Sequence, residues 1–163
     1  MEAPAALSDD GQISSEQLTR GVVAFLALAV VLRLARALQN YPMWCDETML
    51  AANLLDRDWT DLAQPLAYRQ VCPLGFLALQ WLAVRILGFS ELSLRLIPLI
   101  CALASVPVFC LLARRTLGAA TTATFLAVAV FAVSEPLIRY AGEAKPYEVD
   151  FLVSLVLLNL TVK

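Results

Sequence analysis

Long unbroken runs of apolar residues decide more about this chain than any motif in it. They cover residues 21–38, 92–113 and 119–138, and a fourth opens at Phe151. A hydrocarbon core about 30 Å thick needs about 17 to 25 helical residues, and each complete run meets that length. The fourth, 151–163, holds only about a dozen residues, short of a span. It reads as a helix cut by the end of the chain. The expected fold is therefore an all-α, multi-pass transmembrane bundle of about three complete spans plus a truncated fourth, the N-terminal part of a longer protein.

Composition agrees with the runs. The chain is 60% apolar and 16% charged, with a mean hydropathy of +0.73, whereas a soluble domain is about a quarter charged. The net charge of −2 and the scattered basic residues leave no electrostatic footprint for nucleic acid. Histidine is absent, which removes imidazole metal sites, Ser–His pairs and histidine bases and leaves carboxylates as the natural proton acceptors. Cys45, Cys72, Cys101 and Cys110 have no CxxC spacing, so neither a metal site nor a cofactor is indicated, a divalent cation included. Cys45 and Cys72 share a loop, and whether they pair is open at this stage. Cys101 and Cys110 read as small packing residues in the second span, which Pro98 and Pro107 are expected to kink.

The topology turns on residues 73–87. This run is apolar but short, carries Gln80 and Arg85, starts at Pro73 and is closed by Gly88, a pattern suited to a helix lying in the interface with Trp81 among the headgroups. If it lies flat, loops 39–91 and 139–150 share the outer side of the membrane and the Arg114–Arg115 turn faces the cytoplasm, as the positive-inside rule favours. If it crosses, those loops are separated. Arg33 and Arg36, at the outer end of the first span, weigh against the flat reading. The first run also has a signal-peptide reading, with Ala35-Arg36-Ala37 as a cleavage site, but its acidic flank and long apolar core favour an uncleaved span. Residues 1–19 are expected to form a disordered cytoplasmic tail.

Two acidic clusters fall in the outer loops. Trp44-Cys45-Asp46-Glu47-Thr48 precedes a short helix over 49–55, which places Asp46 at its N-cap, ionised by the free N–H groups. Capping alone explains Asp46, with Glu47 solvated in the first turn. The second cluster, Glu135 to Asp150, gathers Arg139, Tyr140, Glu143, Lys145, Tyr147 and Glu148 at the membrane edge, which an aromatic belt and a wet loop also explain. With 73–87 flat, both clusters lie on one face, so Asp46 and Glu143 can line one pocket while Lys145 and Arg139 meet an anionic group such as a lipid phosphate. Arg69 faces the same compartment as a lesser substrate contact, with snorkelling toward headgroups as its plainer role.

The order Pro42-x-Trp44-x-Asp46-Glu47, Pro73-Leu74-Gly75-Phe76, Leu87-Gly88-Phe89-Ser90-Glu91, Arg95-Leu96-x-Pro98, Ala113-Arg114-Arg115-x-Leu117-Gly118 and Tyr140-x-x-Glu143-Ala144-Lys145-Pro146-Tyr147 resembles the start of bacterial GT-C membrane glycosyltransferases. The likeness is to family 39-like, dolichyl-phosphate-mannose-protein mannosyltransferase-like members, relatives of aminoarabinose transferases and protein O-mannosyltransferases, and spans residues 20–163. The resemblance implies an inner-membrane enzyme with an extracytoplasmic active site. It implies a polyprenyl-phosphate-linked sugar as donor and a glycan, lipid or protein as acceptor. By similarity Asp46 activates or orients the acceptor, Glu47 stands beside it and Glu143 belongs to the second acidic motif; the residues expected to contact substrate are Arg139, Lys145, Tyr147 and Arg69. Lys145 stands where many relatives have Arg, which replaces a bidentate grip by a point charge. Relatives carry more spans, so this stretch alone is expected to be inactive. The competing readings are a transporter or scaffold, and a truncated product with no function of its own.

Overall fold

The computed structural model of the protein describes residues 14–162. Seven α-helices follow one another: α1 Ser15–Leu38, α2 Cys45–Asp56, α3 Leu74–Leu87, α4 Glu91–Leu117, α5 Thr122–Ala132, α6 Glu135–Tyr140 and α7 Tyr147–Thr161. Two single 3₁₀ turns, Trp59–Asp61 and Ala67–Arg69, fill the α2–α3 connection. No strand occurs among the described residues.

Two helices, α1 and α4, are long and apolar enough to cross a membrane. Their ends are set by local chemistry. At the start of α1, Ser14 and Gln17 cap each other reciprocally, so the helix begins inside the stretch assigned to a disordered tail and residues 14–19 are ordered. Residues 1–13 of that tail lie outside the described residues. Ser90 and Ser93 cap α4 in the same way. It runs four residues past the expected 113 and ends at Gly118, whose φ of 95° suits a residue without a Cβ. Arg114 and Arg115 therefore sit in the last helical turn, where the helix dipole favours cations.

The third expected span is not one helix. Pro136 lacks an N–H and its ring would collide with the carbonyl four residues back, that of Ala132. There α5 stops, Ser134 turns extended at ψ 110°, and α6 begins with Pro136 in its first turn. The fourth apolar run starts as helix at Tyr147 rather than Phe151.

The packing has two parts. In the bundle, α4 runs against α1, α5 and α7, and small residues, Ala29, Ala102, Ser105, Ala113 and Ala132, are buried there beside Val22, Val106, Val128 and Phe131. Small residues let helix backbones approach where water expulsion supplies little drive. Gly21 does the same on α1, since a Cβ there would meet the Phe125 ring at 2.6 Å. Phe109 stacks on Phe131 at 4.2 Å. The second part is a lobe in which Leu50, Ala51 and Leu54 of α2, Phe76, Leu77 and Val84 of α3, and Leu94 of α4 close a core. Gln80 of α3 donates to the Leu94 carbonyl at 2.6 Å, and the Arg57 carbonyl accepts from Trp81 Nε1 at 3.1 Å. The opposite side of α3 leaves Leu74, Leu79, Leu82 and Ile86 exposed, as an interfacial helix would.

Within the bundle lie two buried ionisable side chains, Arg33 and Glu148. Arg33 is fully buried on α1 with its guanidinium 4.6 Å over the Phe131 ring, and donates from Nη1 to the Ala29 carbonyl. Glu148, 1% exposed at the start of α7, makes no direct ion pair with it among the described residues, and neither of its carboxyl oxygens has a hydrogen-bond partner there. Buried charges of opposite sign depend on each other, because removing one leaves the other uncompensated. Arg33→Leu alone is therefore expected to destabilise the protein by about 3 kcal/mol, read by thermal unfolding in detergent. Arg33→Leu with Glu148→Leu should recover most of that loss, and additive losses would show that the two act independently.

Candidate functional site

The chain leaves α1 through residues 39–44, which Arg95 of α4 holds in place. Its Nη1 donates to Asn40 Oδ1 at 3.0 Å and its Nη2 to the Tyr41 carbonyl at 2.6 Å. At Trp44 the chain turns into α2, with Trp44 rather than Asp46 at the N-cap position. The capping acid is Glu47: its Oε2 accepts from the Trp44 N–H at 2.9 Å. A glutamate at the third helical position reaches the first free amide of the helix, which an aspartate one residue earlier does not. Glu47 is only 1% exposed, against the expectation of a solvated residue.

The other oxygen of that carboxylate accepts from the Ala144 N–H at 2.6 Å, a contact 97 residues away in sequence. Ala144 is buried in the α2–α3 core, so the α6–α7 loop is plugged into the first lobe by a side chain and a charge-assisted hydrogen bond together. Gly142 lets the same loop lie against α1, where an added Cβ would stand 3.4 Å from Arg36 Cγ and 3.5 Å from the Arg36 carbonyl.

These contacts enclose a hollow of about 1130 Å³ lined by Arg36, Tyr41 to Asp46, Met49, Arg139, Tyr140, Glu143 and Lys145. Lys145 Nζ lies 2.8 Å from Asp46 Oδ2 and 3.6 Å from Glu143 Oε2, so one ammonium draws both acids together. Arg139 Nε approaches Glu143 Oε1 at 3.6 Å, and its Nη2 donates to the Tyr140 hydroxyl at 2.8 Å. The hydrogen bond from Lys145 holds the Asp46 carboxyl below the usual carboxylate range. Burial works against the Lys145 ammonium, yet Asp46 and Glu143 outweigh it and hold its value above the usual range. Both groups are thus charged across the neutral range.

Asp46, Glu143, Lys145 and Arg139 share this hollow, whereas the other three site residues expected from the sequence do not line it. Glu47 lies beneath, as the clamp between the loops. Tyr147 packs on Tyr140 with ring centroids 4.6 Å apart and touches the hollow only through that ring. Arg69 is in a separate hollow of about 510 Å³ beside Gln70 and Cys72. It follows Tyr68, and both have positive φ, so the chain reverses there and carries Arg69 away. Cys45 and Cys72 are free thiols; burial, with the charge of Asp150, pushes the Cys72 thiol up to about 11. Sequence reasoning missed Arg36 as a wall of the hollow and Arg95 as the support of residues 40 and 41. Among the described residues no cluster of three acidic, cysteine or histidine side chains is arranged for a metal. Protein-family models, curated proteins and solved structures gave no match to the chain.

Glu47→Ala leaves two amides without their acceptor and is expected to cost about 3 kcal/mol, whereas Asp46→Ala, half-exposed, should stay within about 1 kcal/mol. Equal losses in thermal unfolding would remove the clamp role. The Asp46–Lys145 contribution should be present between about pH 4 and about pH 10. It is lost as pH falls through the lowered Asp46 value or rises through the raised Lys145 value. Subtracting the Asp46→Ala unfolding profile from that of the wild type reads this window directly.

Proposed function

We propose that the hollow is the reaction site of a membrane glycosyltransferase that takes a polyprenyl-phosphate-linked sugar and passes the sugar to an extracytoplasmic acceptor. The observation that carries the reading is the Lys145 ammonium, held between Asp46 and Glu143 at the edge of the hollow. Glycosyl transfer needs a hydrogen-bond acceptor for the attacking hydroxyl or amine and positive charge for the departing phosphate. Carboxylates and cations alternating along one wall meet both needs. Asp46 is held ionised by Lys145, which suits it to orient the acceptor and take its proton late, as the bond to the anomeric carbon forms. Exposed Trp44 and the Tyr140–Tyr147 pair at the rim offer flat apolar faces to sugar rings. The order of sequence motifs supports the same class, with inversion at the anomeric carbon by analogy alone.

The membrane setting belongs to this reading. With α1 and α4 crossing and the exposed face of α3 lying in the outer leaflet, the loops that form the hollow open at the inner membrane's outer surface, level with lipid phosphates. The run 119–140 then crosses as two short helices and α7 begins a further crossing.

One observation favours a second reading, a transporter. Arg33 and Glu148 are charged groups buried in the bundle, and intramembrane charges commonly mark ion pathways. The two readings separate in membranes expressing the full reading frame that encodes this stretch. Sugar transfer from a polyprenyl-phosphate donor is expected for the wild type, with Asp46→Asn at least about a hundredfold slower. Undiminished transfer by Asp46→Asn removes its assigned role. No transfer, together with ion flux in proteoliposomes that Glu148→Gln abolishes, would establish the transporter.

A further inference from the structure

Three cations and two carboxylates line the hollow, and the carboxylates are already engaged. Lys145 lies between Asp46 and Glu143. Arg139 is shared between Glu143 and Glu135 and bonded to the Tyr140 hydroxyl. Arg36 has neither a carboxylate partner nor a side-chain hydrogen bond among the described residues, and the surplus positive charge of the hollow rests on it. Its guanidinium lies 4.1 Å from the Tyr41 ring centroid. Stacking of this kind fixes the plane of the group while leaving its edge N–H donors free. Its stem runs beside the Gly142 turn, where an added Cβ would stand 3.4 Å from Cγ, and the side chain is half-buried and held against the Tyr41 ring before any ligand arrives. A restrained, unpaired guanidinium in a concave site suits two oxygens of one tetrahedral anion, and little of its freedom remains to be lost on binding.

We propose that Arg36 is the phosphate-binding residue of this hollow, and that Lys145 and Arg139 chiefly set the positions of Asp46 and Glu143. This rests on reading the hollow as a glycosyl-transfer site only in naming the phosphate's carrier. The ligand chemistry is a phosphate monoester or diester oxygen pair, and its source is either a lipid-linked phosphate or the free ion.

The test measures binding by calorimetry to the purified protein in detergent. Two probes are used separately, a short-chain prenyl phosphate and inorganic phosphate. Wild type is expected to bind at least one, more weakly as salt rises. Arg36→Gln should weaken binding at least about tenfold, Arg36→Lys should recover part of it, and Lys145→Gln should weaken it less than Arg36→Gln. Binding of the prenyl probe alone assigns a lipid source, and binding of both shows that the phosphate suffices. The proposal is overturned if wild type binds neither probe, or if Arg36→Gln, with an unchanged melting temperature, binds as wild type does. Arg36-dependent binding without any sugar transfer would sink the glycosyltransferase reading and leave the phosphate site standing. Sugar transfer with donor binding indifferent to Arg36 would do the reverse.

Discussion

A single buried carboxylate joins the two halves of the outer region. Glu47 accepts one amide from its own helix start and one from a loop 97 residues on, and each of these amides would otherwise lack a partner within the protein. The arrangement is economical because helix capping and loop docking use the two oxygens of one group. It also fixes register: Ala144 cannot donate to Glu47 unless Glu143 and Lys145 fall on either side of that contact, at the wall of the hollow. The Asp46–Lys145 ion pair, more exposed, follows from this placement and does not create it. A salt bridge half open to solvent contributes little to stability by itself, whereas two amides satisfied by a buried carboxylate contribute a good deal.

Helix content and the main helix cores were legible in the sequence, because apolar runs with Gly and Pro at their ends carry that information directly. The helix over 74–87 was legible too, from its length and boundary residues, and the meeting of the two acidic loops had been expected. Three features were not. The interruption near Ser134 was hidden because hydropathy sums ignore backbone geometry, although Pro136 announces it once the carbonyl four residues earlier is considered. The division of labour between Asp46 and Glu47 was reversed because adjacent acids look equivalent in sequence, while helix geometry sends the third position back to the cap and the second outward. Arg33 and Arg36 look alike as basic residues near a helix end, yet one lies against Phe131 in the bundle and the other against Tyr41 in the hollow.

That divergence bears on the topology. Positive-inside counting takes each basic residue near a helix end as a charge facing water. Arg33 faces the protein interior, so that premise does not hold for it. What the fold itself offers is two helices, α1 and α4, long and apolar enough to cross a membrane.

The discontinuity between α5 and α6 has a consequence for the hollow. Arg139 and Tyr140 ride on a helix of only six residues, separated from α5 by the extended Ser134. That short helix packs directly on α1 and α4, and the Gly142 turn that follows it lies against Arg36 and Ala37 of α1. One wall of the hollow is thus carried by a six-residue helix held at both ends by turns, while its other walls belong to α1 and α2.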